Sequence, residues 1–373
     1  MVNERAYWLA WSRLRGIGPV LLKRIYEHFG SLAIAWDAPA HALKHVDGLG
    51  NALVASVLEQ RVQVKPETLL ANHEETCPYF WTPIDPDYPA LLWAIADPPP
   101  VLYYRGRTEL IRQIDQGTAV GIVGTRSPSD YGKRWTRKLT QRLVQHSIPI
   151  VSGLAEGVDR EAHLSTLDLG GETLAVLGTG VDVIYPWSNR GLYERIKGEG
   201  LLLSEYPDGT GPDRSHFPRR NRIIAGLCRA ILVTEAPIRS GALITARLAN
   251  EYGREVYALP GSLDNPRCLG CLGLVNEGAN LILDEETLLK GLGTLPTLVP
   301  TVTSPEANQE SSSLPPLDPL LEQVFQAIPL EPTNLDSLAE RGGLPTGTLL
   351  SALVQLELLG LIQQLPGMQY KRS

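Results

Sequence analysis

The stretch RSHFPRRNRIIAGLCRAILVTEAPIRSGALITA, residues 214–246, predicts a loop, a helix, a buried strand and the start of a second helix. Its centre, Ala230–Thr234, is a short apolar run of the kind that is typical of a strand buried on both faces. Helical patterns stand on either side of this run. Strands that alternate with helices form parallel sheets, so this stretch favours an α/β fold.

The same alternation of apolar runs and helical stretches begins near Thr118 and continues through the central part of the chain. Because helices intervene between the strands, we predict a Rossmann-like, doubly wound and mostly parallel sheet. The predicted strands are Ala119–Val123, Ile148–Val151, Leu174–Leu177, Leu201–Ser204, Ala230–Thr234, Val256–Leu259 and Asn280–Leu283.

Small and polar residues follow the first three predicted strands. Ligands of such sheets bind outside the carboxyl ends of the strands, so these residues are candidates for a binding site. They form neither the Gly-x-Gly-x-x-Gly fingerprint of dinucleotide binding nor a Walker lysine motif, and we therefore expect no nucleotide cofactor. The segments are Gly124–Ser127, Ser152–Asp159 and Gly178–Asp182.

Five arginines within residues 214–246 have no carboxylate between the first and the last of them: Arg214, Arg219, Arg220, Arg222 and Arg229. Guanidinium groups match phosphate geometry and stay charged. Phe217 offers a face on which a base can stack, and Ser240-Gly241 opens a helix whose N-terminus can bind an anion. The pattern indicates a surface for sugar and phosphate. A solvated arginine face around a buried aromatic ring is the alternative.

These motifs resemble the DprA/Smf family of DNA-processing proteins. The resemblance rests on Phe217–Leu227, Ser240–Ala249, Gly253–Val256 and Leu259–Gly261, and on Gly121–Arg126, Val151–Asp159 with His163, Leu177–Asp182 with Tyr185-Pro186, and Ser204–Pro207. The chain departs from the family after Cys268, where Leu272–Val275 stands in place of a frequent asparagine before Leu-Ile.

The resemblance implies that the central domain binds single-stranded DNA, forms a homodimer and passes the strand to the RecA recombinase during natural transformation. It also implies that Arg126, Phe217, Arg220 and Arg222 contact DNA, and that Gly153 and Gly180 let the DNA approach the backbone. Together with the residues that follow the strands, the predicted DNA-binding set is Gly124, Arg126, Ser127, Ser152, Gly153, Gly180, Arg214, Phe217, Arg219, Arg220, Asn221, Arg222, Ser240 and Gly241.

The rest of the chain predicts three further segments around the central domain, residues 67–290. Residues 1–66 resemble paired helix-hairpin-helix motifs, with Lys23 and Arg24 beside the first glycine turn; a helical bundle with tight turns is the alternative. The central domain's proline-rich entry segment, 78–105, is expected to be extended and to wrap over it. Residues 291–316 have the composition of a linker, and residues 317–373 show a winged-helix pattern whose third helix lacks the cations that base reading requires.

Composition limits the function classes. The net charge of −7 excludes a globally basic DNA coat but allows a local cationic groove. Four cysteines make no disulfide framework, and Cys268 with Cys271 is only half of a zinc site, so no metal is expected. The first residues lack a signal-peptide pattern, and no apolar run is long enough to span a bilayer, so we expect a cytoplasmic location without membrane contact.

Two rival functions remain open. A nucleotide or N-glycoside hydrolase would use Glu156, Asp159, His163 or Glu235, of which Asp159 and His163 lie one helical turn apart. The alternative role of that pair is to cap and orient the helix after Gly157. A winged-helix regulator that reads one duplex sequence is the third function, and the uncharged third helix argues against it.

Overall fold

The computed structural model of the chain describes residues 3–294, 319–328, 333–334, 338, 346–358, 362–365 and 369–372. The chain divides into two compact units, Met1–Val302 and Thr303–Ser373. Each unit has its own hydrophobic core. No helix in the described ranges has the length and apolar character that crossing a membrane requires.

The first unit begins with a helical bundle around a core that is rich in tryptophan, including Trp8, Trp11 and Trp36. Gly16 and Gly48 have φ angles of 88° and 90°, which favour glycine, and each turn precedes a helix as predicted. The helices are α1 (Glu4–Arg13), α2 (Pro19–Phe29), α3 (Leu32–Asp37), α4 (Ala40–Leu43), α5 (Asn51–Arg61) and α6 (Pro66–Thr76).

The two cations beside the first glycine turn make contacts inside the protein. Lys23 Nζ donates to the carbonyl oxygens of Trp93 and Ile95, each at 2.9 Å, and so ties the bundle to the central domain. Arg24 Nη1 lies 2.8 Å from the carboxylate of Asp47. Because these charges already have partners, the geometry favours the bundle alternative over a phosphate-binding hairpin.

The central domain is a nine-stranded sheet in the order β1-β2-β6-β5-β4-β3-β7-β8-β9. Seven strands, from β6 to β9 in this order, pair in parallel, which agrees with the predicted mostly parallel sheet. The strands are β1 (Phe80–Trp81), β2 (Leu102–Gly106), β3 (Val120–Val123), β4 (Ile150–Ser152), β5 (Thr173–Leu177), β6 (Leu201–Ser204), β7 (Ala230–Val233), β8 (Glu255–Ala258) and β9 (Asn280–Leu281).

Helices cover both faces of this sheet, so its central strands are buried on both sides. They are α7 (Ala90–Trp93), α8 (Leu110–Asp115), α9 (Asp130–Gln145), α10 (Val158–Asp168), α11 (Arg190–Glu199), α12 (His216–Leu227), α13 (Gly241–Glu251), α14 (Leu269–Asn276) and α15 (Glu285–Thr294), with a 3₁₀ turn at Trp187–Asn189. The end of α15 shows that the predicted linker boundary at residue 291 falls inside a helix; residues 295–316 lie outside the described residues.

The entry segment differs from its prediction. It supplies the edge strand β1 and its neighbour β2, which run antiparallel to each other, and β2 runs antiparallel to β6. The prolines lie between these strands rather than within them, and therefore do not interrupt the ladder. The segment thus extends the sheet instead of wrapping over it.

The chain leaves β3 toward one side of the sheet and returns to its other side at β7. This reversal makes the carboxyl ends of β3 and β7 a topological switch point, where open α/β sheets bind their ligands. The loops after β3, β4 and β5 therefore meet the N-termini of α12 and α13 at one edge.

The second unit consists of helices α16 (Pro319–Ala327) and α17 (Thr346–Leu358) with strands β10 (Thr333–Asn334), β11 (Ile362–Leu365) and β12 (Gln369–Arg372). The strands form an antiparallel sheet in the order β10-β12-β11. Val324, Leu353 and Ile362 belong to its core. The helix predicted near Leu335–Arg341 lies outside the described residues except for Leu338, which is buried.

Candidate nucleic-acid interface

Two adjoining cavities open at the carboxyl edge of the sheet, one of about 50 Å³ and one of about 650 Å³. We call them together the cleft. The loops after β3, β4 and β5 form one wall, and the N-termini of α12 and α13 form the other. The residues that line both cavities are Arg126, Ala155, Tyr185, Phe217 and Arg220.

Phe217 stands at the centre of the cleft, on the first turn of α12. Its ring lies 5.4 Å from the ring of Tyr185, at an interplanar angle of 32°. The guanidinium carbon of Arg126 lies 5.7 Å from the centre of the same ring. A Cβ at Gly178 would stand 2.8 Å from Phe217 Cδ1, so the absence of a side chain at Gly178 makes room for the ring. An aromatic pair beside a guanidinium suits a nucleobase.

Three exposed arginines surround the larger cavity: Arg126, Arg214 and Arg239. No ion pair joins any of these three to a carboxylate among the described residues. Their guanidinium groups are therefore available to an anion from solvent. Because phosphate is held by such groups in a bidentate manner, this face of the cleft fits a phosphate backbone.

The N-terminus of α13 contributes to the same cavity. Ser240 caps the helix, its Oγ accepting a hydrogen bond from the backbone N–H of Ala242 at 3.3 Å. Asn221 Nδ2 donates to the carbonyl oxygen of Gly241 at 3.2 Å and so fixes α13 against α12. The positive end of the helix dipole thus adds to the arginine charges.

Arg220 lines the cleft from within the protein and is only 5% exposed. Its Nη1 donates to the carbonyl oxygen of Gly153 at 2.6 Å and to that of Val176. Burial lowers the pKa of Arg220 to about 10, although the nearby carboxyl of Asp159 opposes that effect. The side chain is charged at neutral pH, but it already donates three hydrogen bonds, the third from Nε to Asn221 Oδ1 at 3.3 Å. It contributes positive potential and holds β4 and β5 together.

Gly153 lines the smaller cavity and packs against Arg220. A Cβ there would lie 2.5 Å from both terminal nitrogens of Arg220, so the guanidinium fills the space that a side chain would occupy. The packing of Arg220 therefore requires a glycine at this position. Gly180 lies outside the cleft, and a Cβ there would stand 2.6 Å from the carbonyl oxygen of Pro207.

Arg222 does not belong to the cleft either, contrary to the prediction. Its side chain is buried and makes two bonds to Glu205, at 2.8 and 2.9 Å, and an ion pair with Asp97 at 3.2 Å. The predicted arginine cluster overlooked these carboxylates because both lie outside residues 214–246. We assign Arg222 to the internal support of α12.

The other predicted residues divide between the cleft and its surroundings. Gly124 lines the larger cavity. Ser152 is buried, and its Oγ donates to the carbonyl oxygen of Ile122 at 2.6 Å, which makes it part of the sheet rather than of the surface. Ser127 and Arg219 are exposed but line neither cavity. Sequence reasoning missed Thr125, Gly178 and Tyr185, each of which stands in a motif quoted above, and Arg239, whose signal was its place just before Ser240.

The candidate acids and bases have structural partners. The carboxylate of Asp159 accepts hydrogen bonds from the backbone N–H groups of Gly153 and Ala155, at 3.1 and 3.3 Å. Burial raises the pKa of Asp159. His163 Nδ1 lies 2.7 Å from Thr173 Oγ1, and burial lowers the pKa of His163 to about 3. The two side chains thus have separate partners, which favours the structural alternative over an acid–base pair.

Glu235 and Glu156 are held in a similar way. Glu235 is fully buried and accepts hydrogen bonds from the N–H and the hydroxyl of Ser129, each at 2.7 Å. Ser188 Oγ donates to Glu156 at 2.6 Å at the rim of the smaller cavity.

Within the described ranges no group of three or more His, Cys, Asp or Glu side chains could hold a metal ion. Burial raises the pKa of Cys271 to about 12, which keeps its thiol protonated.

Comparison with known proteins gives two family matches. Residues 79–293 match the family described as DNA recombination-mediator protein A, and residues 308–368 match the DprA winged helix domain. The chain is 48% identical to protein Smf of Synechocystis sp., over 99% of both chains.

Two solved structures are similar as well. The X-ray structure of DNA processing protein A from Streptococcus pneumoniae has 36% identity and a TM-score of 0.66, and the match covers 78% of this chain and 98% of that one. The structure that describes the single-stranded DNA binding mode of the Helicobacter pylori protein has 32% identity and a TM-score of 0.52. That match covers 57% of this chain and 95% of the other.

Proposed function

Since the chain belongs to the DprA/Smf family of DNA recombination-mediator proteins, we propose that its cleft binds single-stranded DNA without selecting a base sequence. The phosphate backbone lies along Arg126, Arg214 and Arg239, and a base stacks in the space beside Phe217 and Tyr185. The protein holds and protects the strand and breaks no covalent bond in it.

One observation carries this proposal: exposed, unpaired guanidinium groups surround an accessible aromatic pair at the switch point of the sheet. Cations alone would fit any polyanion, and aromatic rings alone would fit any apolar ligand. Their combination at about 5 Å fits a chain that alternates phosphates with flat bases. The resemblance to the H. pylori protein, whose single-stranded DNA binding mode has been described, supports the same ligand.

The absence of base selection follows from the type of contact. Phosphate contacts position a nucleic acid but carry no sequence information, and stacking is tolerant because every base has a flat face. A strand must also be unpaired for a base to lie against Phe217, whereas the bases of a duplex are stacked on one another. The proposal therefore includes a preference for single strands over duplexes.

The later fate of the strand is proposed from the family alone. We infer that the protein acts as a homodimer and passes the bound strand to the RecA recombinase during natural transformation. RecA works on DNA in the cytoplasm, so the proposal includes a cytoplasmic location. The winged-helix unit is proposed to contact a protein rather than to read duplex DNA, because its third helix lacks cations at its start.

The hydrolase alternative receives no support from the site, because Asp159, His163 and Glu235 are engaged by buried partners. Its test is incubation with nucleoside monophosphates and measurement of released base. Release that disappears in Glu235→Gln would establish the hydrolase in place of the binder.

The test of the proposed function is fluorescence anisotropy of labelled oligodeoxythymidine, and of a mixed-sequence duplex of equal length, titrated with the full chain. We expect single-strand binding that Phe217→Ala weakens about 5-fold to 100-fold, which is the effect of one stacked base. Tyr79→Ala removes another half-exposed aromatic ring, 51% accessible and far from the cleft, and serves as the matched control. Equal affinity for both DNAs, or no effect of Phe217→Ala, would refute the proposal.

A further inference from the structure

Of the seven tryptophans in the chain, Trp187 is the one whose side chain is exposed to solvent. It is 66% exposed, whereas Trp8, Trp11, Trp36 and Trp81 are at most 7% exposed. The two others, at positions 93 and 135, are half-buried. A side chain of this size loses much hydrophobic free energy when it stays in water. A single exposed apolar side chain is common in folded proteins, so the exposure of Trp187 gains meaning only from its neighbours at the cleft.

The segment that carries this indole is held firmly in place. Asn189 Nδ2 donates to the carbonyl oxygens of Leu154 and Ala155, at 2.9 and 3.2 Å. Arg160 Nη1 donates to the carbonyl oxygen of Ser188 at 3.2 Å. These bonds connect the 3₁₀ turn to the loop after β4 and to α10. A ligand that contacts Trp187 would consequently meet a preordered surface with a small entropic cost of binding.

The exposed indole adjoins the cleft. Tyr185 and Pro186, the two residues before it, line the smaller cavity, and Tyr185 is 40% exposed. The backbone at Pro186 is extended, so the α-carbons of Tyr185 and Trp187 are at most about 7 Å apart. The exposed ring of Trp187 is thus carried two residues beyond Tyr185, whose own ring lies 5.4 Å from that of Phe217.

Arg190 adds a charge to this outer position. Its guanidinium carbon lies 5.1 Å from the centre of the Trp187 ring and covers one face of the indole. The guanidinium is itself exposed, so its N–H groups can reach a phosphate while the other face of the indole takes a base. Trp187 and Arg190 thus combine an aromatic ring with a guanidinium group, as Phe217 and Arg126 do in the cleft.

We propose that Trp187 and Arg190 form a second base-stacking position for single-stranded DNA outside the cleft, an inference that rests on the proposed function. A strand that leaves the smaller cavity past Tyr185 stacks a further base on Trp187, and Arg190 holds the adjoining phosphate. The position lengthens the bound segment and raises its affinity without adding base selection. A protein partner is the other ligand that an exposed tryptophan could serve, but continuity with the cleft and the cationic neighbour favour the nucleic acid.

Intrinsic tryptophan fluorescence tests this position directly, because four of the other six indoles are buried and the remaining two are half-buried and line neither cavity of the cleft. We expect oligodeoxythymidine to quench the emission of the full chain, and Trp187→Phe to abolish the quenching while largely retaining affinity. Trp187→Ala should weaken binding about 5-fold to 100-fold without changing the salt dependence, since it removes a stacked ring and no charge. Leu169→Ala, which truncates another exposed apolar residue, 47% accessible, is the matched control and should bind like the parent chain.

The outcomes separate this inference from the one on which it rests. If Phe217→Ala loses affinity and Trp187→Ala binds like the parent chain, the second position is refuted and the cleft stands; the indole is then assigned to a protein contact. If the parent chain does not bind oligodeoxythymidine, both proposals fail. Loss of affinity in Trp187→Ala with quenching retained in Trp187→Phe would also refute the inference, because another indole would then be reporting the contact.

Discussion

Replacing Arg126 by alanine should reduce both the affinity for single-stranded DNA and its dependence on salt. Arg126 is one of three exposed guanidinium groups in the cleft. On single strands each neutralised phosphate contributes about −0.7 to the slope of log affinity against log salt concentration, so three such contacts predict a slope of about −2. Losing one contact should bring the slope to about −1.4. The lost charge-assisted contact corresponds to roughly 1.5 kcal/mol, or about tenfold in affinity at low salt.

The assay is the Kd of labelled oligodeoxythymidine, measured by anisotropy over a series of salt concentrations. Arg126→Lys keeps the charge and should keep the slope, but it replaces the planar group that lies 5.7 Å from Phe217 and should weaken binding moderately. Arg112→Ala removes an arginine whose side chain is 82% exposed and lies outside the cleft, so it should change neither quantity.

The two variants together decide whether the charge of Arg126 acts locally. If Arg126→Ala and Arg112→Ala flatten the slope equally, binding depends on the overall charge of the protein and the cleft is not the site. If Arg126→Ala loses affinity with an unchanged slope, the side chain supports Phe217 and does not contact phosphate. Either result would refute the assignment of a phosphate to Arg126.

Three further predictions concern the support of the cleft. Glu205→Gln should lower the free energy of unfolding by about 3 kcal/mol in urea titrations, because it leaves buried Arg222 with one carboxylate fewer, and a loss below about 0.5 kcal/mol would show that the pair is not structural. Burial lowers the pKa of His163 from its ordinary value of 6.5 to about 3 in the folded chain. As the pH falls, the unfolded chain therefore binds a proton at this residue before the folded chain does. Stability should therefore drop by about 2 kcal/mol from this residue between pH 7 and pH 5 and continue to fall toward pH 3, and His163→Gln should remove that part of the slope. Gly178→Ala places a Cβ about 2.8 Å from Phe217 and should displace the ring, so anisotropy should show weaker binding with an unchanged salt slope; unaltered affinity would mean that the ring position does not matter.

The central strands were predictable because each is a short apolar run between helical patterns. Ala230–Thr234 was predicted and Ala230–Val233 is observed. The antiparallel strands β1 and β2 were missed for a physical reason. Each strand pairs with its neighbours over only a few residues. The prolines between the two strands are typical of irregular structure, so the local sequence pattern does not predict strands here.

The site shows the same division between local and distant information. Arg126 was predicted from the loop after a strand, Phe217 from the arginines around it and Ser240 from the start of a helix, and the structure brings these three together around the cleft. Gly153 and Gly180 were predicted to let DNA approach the backbone, which stays a prediction; the structure shows that a Cβ at these positions would meet Arg220 and Pro207 respectively.

The sequence by itself determined the α/β fold class, the order of the parallel strands along the chain and the edge of the sheet where the arginines and Phe217 gather. These follow from apolar periodicity and from the rule that loops after parallel strands share one edge. Only the tertiary structure decided which arginines face the solvent. Arg220 and Arg222 are two residues apart on α12, yet one holds strand carbonyls beneath the cleft and the other pairs with Glu205 and Asp97. Those partners are distant in sequence, and a buried charge is stable only beside its partners. A local sequence pattern therefore could not distinguish these two buried arginines from the exposed Arg126.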